Sequence, residues 1–412
     1  MKRAELSHEV RQTLKRLPPP FEAHYGVVPP PPPSASPSVI QVTARHQAAL
    51  KALAKLDVLA SELRDPWLVS RVLTRREAVS SSAIEGTNST LDELLAVEES
   101  GDAVEGGDER KKATEQVRSY ALSLDTFVPM AREQGASVFT EPLVRDLHRA
   151  VMRGETDYRD IPGELRRTVV WIGGRGDIAY STYNPAPPDD VARCLADNLA
   201  YLRGELDETL PPSIITRLAV AHAHFEATHP FRDGNGRVGR LLLPLAMAAD
   251  GQVPLYLAPY MEANRPSYYA ALQATQQRLE WHEMIGFVAD AVTGTVDELL
   301  ATRQALADLR TIWASRRRFR AGSAARRALD ILPHYPVITI GRLAVLLNVS
   351  WPQAGQAVEQ LVRVGILTER TGYRRNRLFV AKEALSVINR PFAEKPILPE
   401  QQPTDQRSGP SP

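Results

Sequence analysis

The residues of this 412-residue chain best suited to chemistry lie in one segment, from His229 to Arg240, with the sequence His-Pro-Phe-Arg-Asp-Gly-Asn-Gly-Arg-Val-Gly-Arg. Its glycines at 234 and 236 free successive main-chain N–H groups to form a concave nest at the start of a helix, and such a nest binds phosphate. Arg237 and Arg240 are three residues apart, so their guanidinium groups lie on one side of that helix and suit phosphate oxygens. The segment therefore predicts a site for a phosphorylated ligand.

Two further side chains of the segment add metal and acid–base chemistry. Asp233 is a carboxylate of the kind that joins Mg²⁺ to substrate phosphates. His229 follows a helical pattern from Ile214 to Ala227, and from the end of that helix its imidazole could accept a proton from an attacking hydroxyl. Each feature alone is typical of a glycine-rich turn with a C-capping histidine, but the assembled set favours a functional site.

The segment resembles the Fic motif, His-x-Phe-x-(Asp/Glu)-Gly-Asn-Gly-Arg-x-x-Arg, at all eight fixed positions. The resemblance runs from about Leu17 to Pro391 and is to bacterial Fic proteins with a carboxy-terminal winged helix. It implies nucleotidyl transfer, most often by a protein adenylyltransferase that moves AMP from ATP to a Ser, Thr or Tyr hydroxyl of a target protein. ATP as substrate and Mg²⁺ as cofactor are implied with it.

The resemblance also implies a role for each motif residue. His229 would be the general base, Asp233 the Mg²⁺ ligand, and Phe231 a buried anchor of the loop. The nucleotide would be bound by Gly234, Asn235 and Gly236 at the α- and β-phosphates, Arg237 at the β-phosphate and Arg240 at the γ-phosphate, with Val238 and Gly239 completing the segment. In such transfers the protein mainly positions reactants and stabilises charge.

Two more stretches resemble parts of the family's substrate site. Pro162 to Arg166, followed by Val170 to Gly174, is similar to the family's flap, a hairpin that would register the target's backbone by strand addition. Flap residues expected at the nucleotide are Ile172, Gly173, Gly174 and Arg175. Tyr268, Tyr269 and Gln276 fall where the family builds its adenine and ribose pocket.

An inhibitory motif is expected at the end of a helix before the core. Ser81-Ser82-Ala83-Ile84-Glu85-Gly86 resembles the family's (Ser/Thr)-x-x-x-Glu-(Gly/Asn) motif. A carboxylate in the last turn of a helix meets the negative end of the helix dipole, which costs from a few tenths to about 1 kcal/mol, so a partner such as arginine should offset it. The resemblance implies that Glu85 pairs with Arg240 and blocks the γ-phosphate, with Ser81 and Gly86 completing the motif.

The elements that must position these residues are mainly α-helical. The resemblance predicts a Fic helical bundle with a β-hairpin flap and a C-terminal winged helix-turn-helix domain. The predicted domains are a proline-rich arm (1–45), a helical region with the inhibitory helix (46–125), the catalytic core (126–300), the winged helix (316–390) and a disordered tail (391–412). The arm's proline runs leave two interpretations open, a linker or an arm packed on the core.

Composition narrows the class of protein. The chain is 43% hydrophobic and 24% charged. Its 24 glycines are too few for a collagen-like protein, and its single cysteine excludes a disulfide-stapled one. That cysteine, Cys194, is expected to be a small core residue. The first residues resemble no secretory signal, and the most apolar run, 241–249, is far shorter than the ~20 residues of a membrane span. We therefore expect a cytoplasmic protein without a membrane partner.

The C-terminal region has a different charge from the rest. Residues 316–380 contain 12 arginines, no lysine and 3 acidic residues, a net charge of +9 in a chain of net charge +1. Helices are predicted at 324–332, 340–348 and 351–364, and strands at 366–368 and 378–380 as a wing carrying Arg374, Arg375 and Arg377. This pattern leaves open a DNA-binding regulator or a protein-interaction module.

Three side chains of the helical pattern before the motif also suit a different reaction. His222, Glu226 and His229 share one helix face with a spacing that can hold zinc, which would indicate a hydrolase. Within the Fic family, the same site could instead remove AMP or transfer another group. The resemblance further implies a homodimer, and the target protein cannot be inferred from these residues.

Overall fold

The computed structural model describes residues 1–63, 71–101, 107–155, 157–205, 212–370 and 377–399, apart from the side chains of 61–63. Within these ranges the chain forms sixteen α-helices and seven short strands, which confirms the prediction of a mainly α protein. None of the helices in these ranges has the length and apolarity that crossing a bilayer requires.

The chain divides into two compact units. The first comprises Met1–Val69, Glu77–Asn88 and Glu115–Val296, and the second comprises Ser70–Arg76, Ser89–Thr114 and Asp297–Pro412. Three helices have residues in both: α3 (Arg71–Ile84), α5 (Asp108–Gln134) and α12 (Trp281–Ser315). The helix expected before the inhibitory motif is α3, and residues 64–70, which precede it, lie outside the described ranges.

The first unit is a helical bundle around two central helices. Its further helices are α1 (His8–Gln12), α2 (Thr43–Leu63), α6 (Glu141–Val151), α7 (Val191–Leu202), α8 (Ile214–Thr228), α9 (Asn235–Ala249), α10 (Ala258–Ala263) and α11 (Arg265–Arg278). Helices α8 and α9 pack against each other and are surrounded by α6, α7 and α11. Both are buried on nearly every side, and the few polar and charged side chains that they bury belong mainly to the motif region.

The N-terminal arm packs on this bundle. Strands β1 (Leu14–Arg16) and β2 (Tyr25–Val27) form an antiparallel hairpin. Beyond it, the Pro30 carbonyl accepts a hydrogen bond from the His224 ring at 3.0 Å, and Val28 packs with buried Cys194. Of the two interpretations of this segment, the packed arm is therefore correct for residues up to Pro30, because this part of the arm contacts the bundle through Val28 and the Pro30 carbonyl.

The second unit contains a three-stranded sheet and a cluster of helices. Its helices are α4 (Leu91–Ser100), α13 (Ala324–Ile331), α14 (Ile340–Leu347), α15 (Trp351–Arg363) and α16 (Lys382–Ile388). Strands β5 (Val337–Thr339), β6 (Thr368–Glu369) and β7 (Leu378–Val380) pair antiparallel in the order β5-β7-β6. The helices predicted in 324–364 and the strand predicted at 378–380 are confirmed, while the strand predicted at 366–368 is found at Thr368–Glu369. Residues 371–376 lie outside the described residues. Residues 391–399 form no helix or strand, and 400–412 also lie outside.

Candidate active site

The motif segment forms a loop between α8 and α9 whose two ends have left-handed backbone conformations. His229 ends α8 with φ +51°, and Gly234 precedes α9 with φ +76°. A Cβ at Gly234 would lie 2.8 Å from Met152 Sδ, so this position requires glycine. Between the ends, the Asn235 amide accepts a hydrogen bond from Phe231 N–H and donates one to the Phe231 carbonyl, both at 2.8 Å. These bonds close the loop on itself.

Arg166 holds the main chain that carries the histidine. Its buried guanidinium donates to the carbonyls of His229 at 2.7 Å, Ala186 at 2.6 Å, Thr168 at 3.1 Å and Thr228 at 3.3 Å. Burial lowers the pKa of Arg166 to about 10, so it stays a cation at neutral pH. The sequence pattern places Arg166 only beside the flap, because contacts with distant main-chain carbonyls leave no signal in the spacing of side chains.

The His229 imidazole is half-buried at the start of the motif loop, and its Nδ1 is shielded from solvent. Burial, followed by the charge of Arg166, lowers its pKa to about 4, although the Glu226 carbonyl, Glu85 and Asp233 act in the opposite direction. At neutral pH the ring is therefore uncharged. Nε2 is left as the nitrogen that can accept a proton, as the assignment of a general base requires.

Asp233 and Arg237 face the same side of the loop. The Asp233 carboxylate is exposed, and its Oδ1 accepts the Gly234 N–H at 2.6 Å. Buried Arg237 pairs with Glu155 at 2.9 Å. The described residues contain no group of three or more His, Cys, Asp or Glu side chains that could hold a metal by themselves. One exposed carboxylate beside a phosphate nest nevertheless fits Mg²⁺, which takes one or two carboxylates plus substrate phosphates.

Arg240 is buried and already bound. Its Nη2 lies 2.6 Å from Glu85 Oε1 and donates to the Ser81 carbonyl at 3.0 Å, while Nε donates to Ser81 Oγ at 2.9 Å. Burial opposes ionisation of Glu85, but Arg240 outweighs it and holds the pKa of that carboxyl below its usual value. Arg240 is thus the cationic partner expected for the Glu85 carboxylate at the end of its helix.

The end of α3 places Glu85 next to Arg240. The helix ends at Ile84, and Gly86 follows with φ +89°, a conformation that glycine adopts without strain. Arg265 caps the helix by donating to the Ala83 carbonyl at 3.1 Å. A Cβ at Gly236 would overlap Glu85 Oε1, so the Glu85 carboxylate lies directly against the start of α9.

Two more carboxyl groups lie around Arg240. Glu77 accepts the Ala258 N–H at 2.8 Å and a longer bond from Tyr120 at 3.4 Å, and burial raises its pKa to about 7. Burial raises the pKa of Glu226 to about 7 as well, with Glu85 acting in the same direction and Arg240 against it. The two carboxyl groups without a close contact to this guanidinium thus have raised pKa values, because the effect of burial exceeds the attraction of Arg240.

We expect Glu77→Gln to reduce the loss of stability at alkaline pH. Because folding raises the pKa of Glu77, its contribution to stability is fully present below pH about 4.3, the unfolded value, and is lost as pH rises through about 7. The loss amounts to about 3 to 4 kcal/mol at most, at about 1.4 kcal/mol for each pKa unit. Urea unfolding at pH 4 and pH 8 measures it, with exposed Glu133→Gln as the control. Equal pH dependence in Glu77→Gln and the unmodified protein would contradict the expectation.

The flap is a short hairpin backed by the N-terminal arm. Strand β3 (Ile172–Gly173) pairs with β4 (Ser181–Tyr183), and its carbonyl at Ile172 accepts the Thr182 hydroxyl at 2.9 Å. Gly174 and Arg175 follow in left-handed conformations, with Arg175 exposed. The core behind the hairpin consists of Leu6, Val10, Val27, Tyr183 and Ala227. Contact of residues 172–175 with a nucleotide stays a prediction.

The tyrosines of α11 point in different directions. Tyr268 is buried, and its hydroxyl lies 2.7 Å from His222 Nε2, whereas Tyr269 is 47% exposed. Gln276 lies on the same helix and is largely buried. Tyr269 is thus the one of the pair that remains open to a ligand, and the adenine and ribose assignments stay predictions. Because His222 Nε2 is hydrogen-bonded to the Tyr268 hydroxyl, the geometry does not favour a zinc site.

Two family profiles match this chain. The Fic/DOC family matches residues 138–247, which include the motif loop and the flap. The Fic/DOC family N-terminal profile matches residues 43–126, which include Ser81 to Gly86. The matched residues of this chain therefore form a Fic/DOC domain and the N-terminal region of that family.

Curated relatives are similar to this chain over part of their own length. Protein adenylyltransferase fic-1 of Caenorhabditis briggsae is 32% identical over 190 residues, which are 46% of this chain and 34% of the relative. Protein adenylyltransferase Fic of Drosophila grimshawi is 28% identical over 218 residues, 53% of this chain and 41% of the relative. This chain therefore spans less than half the length of these curated relatives.

A solved structure shows the fold. The crystal structure of a Fic family protein from Desulfovibrio desulfuricans G20 is similar to this chain with a TM-score of 0.51 at 20% sequence identity. The match covers 86% of this chain and 98% of that one. The first unit therefore has the Fic fold predicted from the motif.

Proposed function

We propose that this site transfers AMP from Mg-ATP to a hydroxyl group of a protein. One observation carries the proposal: a single loop holds an uncharged imidazole at His229, an exposed carboxylate at Asp233 and the first N–H groups of α9. The first N–H groups of a helix lack partners within it and attract phosphate. Relatives that are named protein adenylyltransferases support the same reaction.

The proposed reaction is a displacement at the α-phosphorus. The target hydroxyl oxygen bonds to that phosphorus while His229 Nε2 accepts the hydroxyl proton. The bond between the α-phosphorus and the oxygen that bridges to the β-phosphate breaks, and pyrophosphate leaves. The N–H groups at the start of α9 stabilise the developing charge. Mg²⁺, when bound through Asp233, would supply further charge neutralisation to the phosphates.

We also propose that Glu85 restrains this activity. Arg240, the residue expected at the γ-phosphate, is bound by Glu85 at 2.6 Å and by Ser81, so ATP must compete with both for the same guanidinium. A ligand group can occupy that position productively only if the Glu85 carboxylate moves. The contact supports an autoinhibited state of the chain.

Labelled ATP tests the reaction. Transfer of label from the α-phosphate to protein, without transfer from the γ-phosphate, is the expected result, and label from the γ-phosphate alone would contradict it. Competition by unlabelled CTP, GTP and UTP tests the choice of nucleotide, and release of AMP from a labelled target tests the reverse reaction. The homodimer implied by the family resemblance stays a prediction.

A second candidate function, binding of DNA by a winged helix, applies to the second unit. The candidate is supported by helices α14 and α15, which follow one another across a left-handed Asn348 as in a helix-turn-helix, and by the paired strands β6 and β7, from which a wing would extend. Trp351, Gln353 and Gln356 are exposed on α15. Arg317 and Arg318 are exposed as well, whereas Arg374 and Arg375 lie outside the described residues. The net charge of +9 over residues 316–380 favours a polyanion.

DNA binding should weaken steeply with salt. We expect Arg317→Gln/Arg318→Gln to lower the slope of log K against log salt by up to about 2, since each lost phosphate contact contributes about 0.9. Fluorescence anisotropy with duplex DNA at 50–200 mM salt measures the slope. The matched control is Lys51→Gln/Lys55→Gln, which removes two exposed charges from α2. A salt-independent affinity, or equal slopes in both variants, would exclude this candidate.

A further inference from the structure

His148 on α6 is a fully buried histidine that contacts the motif loop and the segment leading to the flap. Its ring stacks on Phe231 with centroids 3.8 Å apart and an angle of 4° between the planes. Its Nδ1 accepts the Gly163 N–H at 2.7 Å, and its Nε2 lies 3.1 Å from the Asp233 carbonyl. Both ring nitrogens and one ring face are therefore occupied by the surroundings of the site.

The two hydrogen bonds define the tautomer. Because the Gly163 N–H can only donate, Nδ1 must present its lone pair. The ring proton of the neutral imidazole then resides on Nε2, which donates it to the Asp233 carbonyl.

That carbonyl belongs to the peptide group that also orients the Asp233 side chain. The peptide between Asp233 and Gly234 is planar, so holding its oxygen fixes the direction of its N–H. The same N–H donates to Asp233 Oδ1 at 2.6 Å. A continuous path thus runs from the His148 ring through one peptide plane to the carboxylate, and it leaves Oδ2 for a ligand.

We propose that His148 is a positioning residue, which aims the Asp233 carboxylate at a divalent cation through the peptide of Gly234. The inference rests on the proposed function for the identity of the reaction, but its physical content is the affinity of the site for a cation beside a triphosphate. Partners that orient a metal ligand from behind typically contribute 10- to 100-fold in metal affinity or activity.

Packing alone would give the same burial, so the variants must separate the ring from its hydrogen bonds. His148→Phe keeps a flat ring against Phe231 and loses both bonds. His148→Gln loses the ring and places an amide N–H₂ near the former Nε2, where it can still donate to the Asp233 carbonyl. A packing role predicts that phenylalanine is the better replacement, and a positioning role predicts that glutamine is.

The experiment uses the full chain carrying Glu85→Gly, in which the competing carboxylate is absent. Binding of Mn²⁺ in the presence of a non-hydrolysable ATP analogue is measured by electron paramagnetic resonance, and AMP transfer is measured against Mg²⁺ concentration. Thermal unfolding is recorded for each variant.

We expect His148→Phe to weaken Mn²⁺ binding and raise the half-saturating Mg²⁺ concentration by about 10-fold or more, and His148→Gln to remain within about 3-fold of its parent. Unchanged cation dependence in a folded His148→Phe variant, or an equal loss in both variants, would overturn the inference. If the parent binds Mn²⁺ with the analogue but transfers no AMP, the proposed function fails while the Mn²⁺ comparison still tests His148.

Discussion

Replacing Glu85 by glycine is expected to raise AMP transfer by about 10- to 100-fold. The substitution removes the 2.6 Å contact with Arg240 and frees that guanidinium for the γ-phosphate. A hydrogen bond between charged groups contributes about 1.5–3 kcal/mol, and each 1.4 kcal/mol is a factor of about ten. The range of a fully buried pair does not apply, because the Glu85 side chain is 39% exposed. Transfer of α-phosphate label to protein measures the change.

Ser81→Ala is the graded control for this prediction. It removes the hydroxyl that accepts from Arg240 Nε at 2.9 Å, while the Ser81 carbonyl and Glu85 still hold the guanidinium. A smaller rise than that of Glu85→Gly is therefore expected. Equal labelling by the unmodified protein and Glu85→Gly would remove the proposed restraint.

Replacing His229 by alanine in the Glu85→Gly chain is expected to lower AMP transfer by about 10²- to 10⁴-fold, the usual contribution of a positioned base. ATP binding should persist, because Gly234 to Arg240 are unchanged. Calorimetric titration with an ATP analogue checks binding, and initial rates check transfer. His282→Ala, a histidine of α12 that lies outside the site, is the matched control and should transfer AMP at the parent rate.

The pH profile of the same parent supplies an independent readout. Burial and Arg166 lower the pKa of His229 to about 4, so the imidazole is uncharged and able to accept a proton above that value. The transfer rate should therefore not fall as pH is lowered from 8 towards 5. Substantial transfer by the His229→Ala variant, or a loss of rate centred near the ordinary histidine pKa, would contradict the assignment.

Much of the site was predictable because local residues determine it. The glycines at 234 and 236 and the flanking helical patterns indicate a nest at a helix start, and the loop between α8 and α9 has that form. The position of Glu85 in a final helical turn predicts a cationic partner, and the guanidinium of Arg240 supplies it. Both inferences rest on backbone conformation and helix dipoles, which act over a few residues.

The supporting contacts were not predictable from spacing. Arg166 and His148 act on main-chain atoms more than 60 residues away in the chain, at the His229 and Asp233 carbonyls. Main-chain carbonyls are present at every residue, so no residue type in the sequence marks these two. The packing of the proline-rich arm likewise depends on distant partners such as His224 and Tyr183.

The mass of the intact Glu85→Gly chain after incubation with Mg-ATP tests the central claim most directly. The account predicts an added mass of one or more AMP groups, because without a target protein the hydroxyl groups of the chain itself are the acceptors present. The double variant Glu85→Gly/His229→Ala should keep its original mass. An unchanged mass in Glu85→Gly, or the same added mass in both variants, would contradict the account.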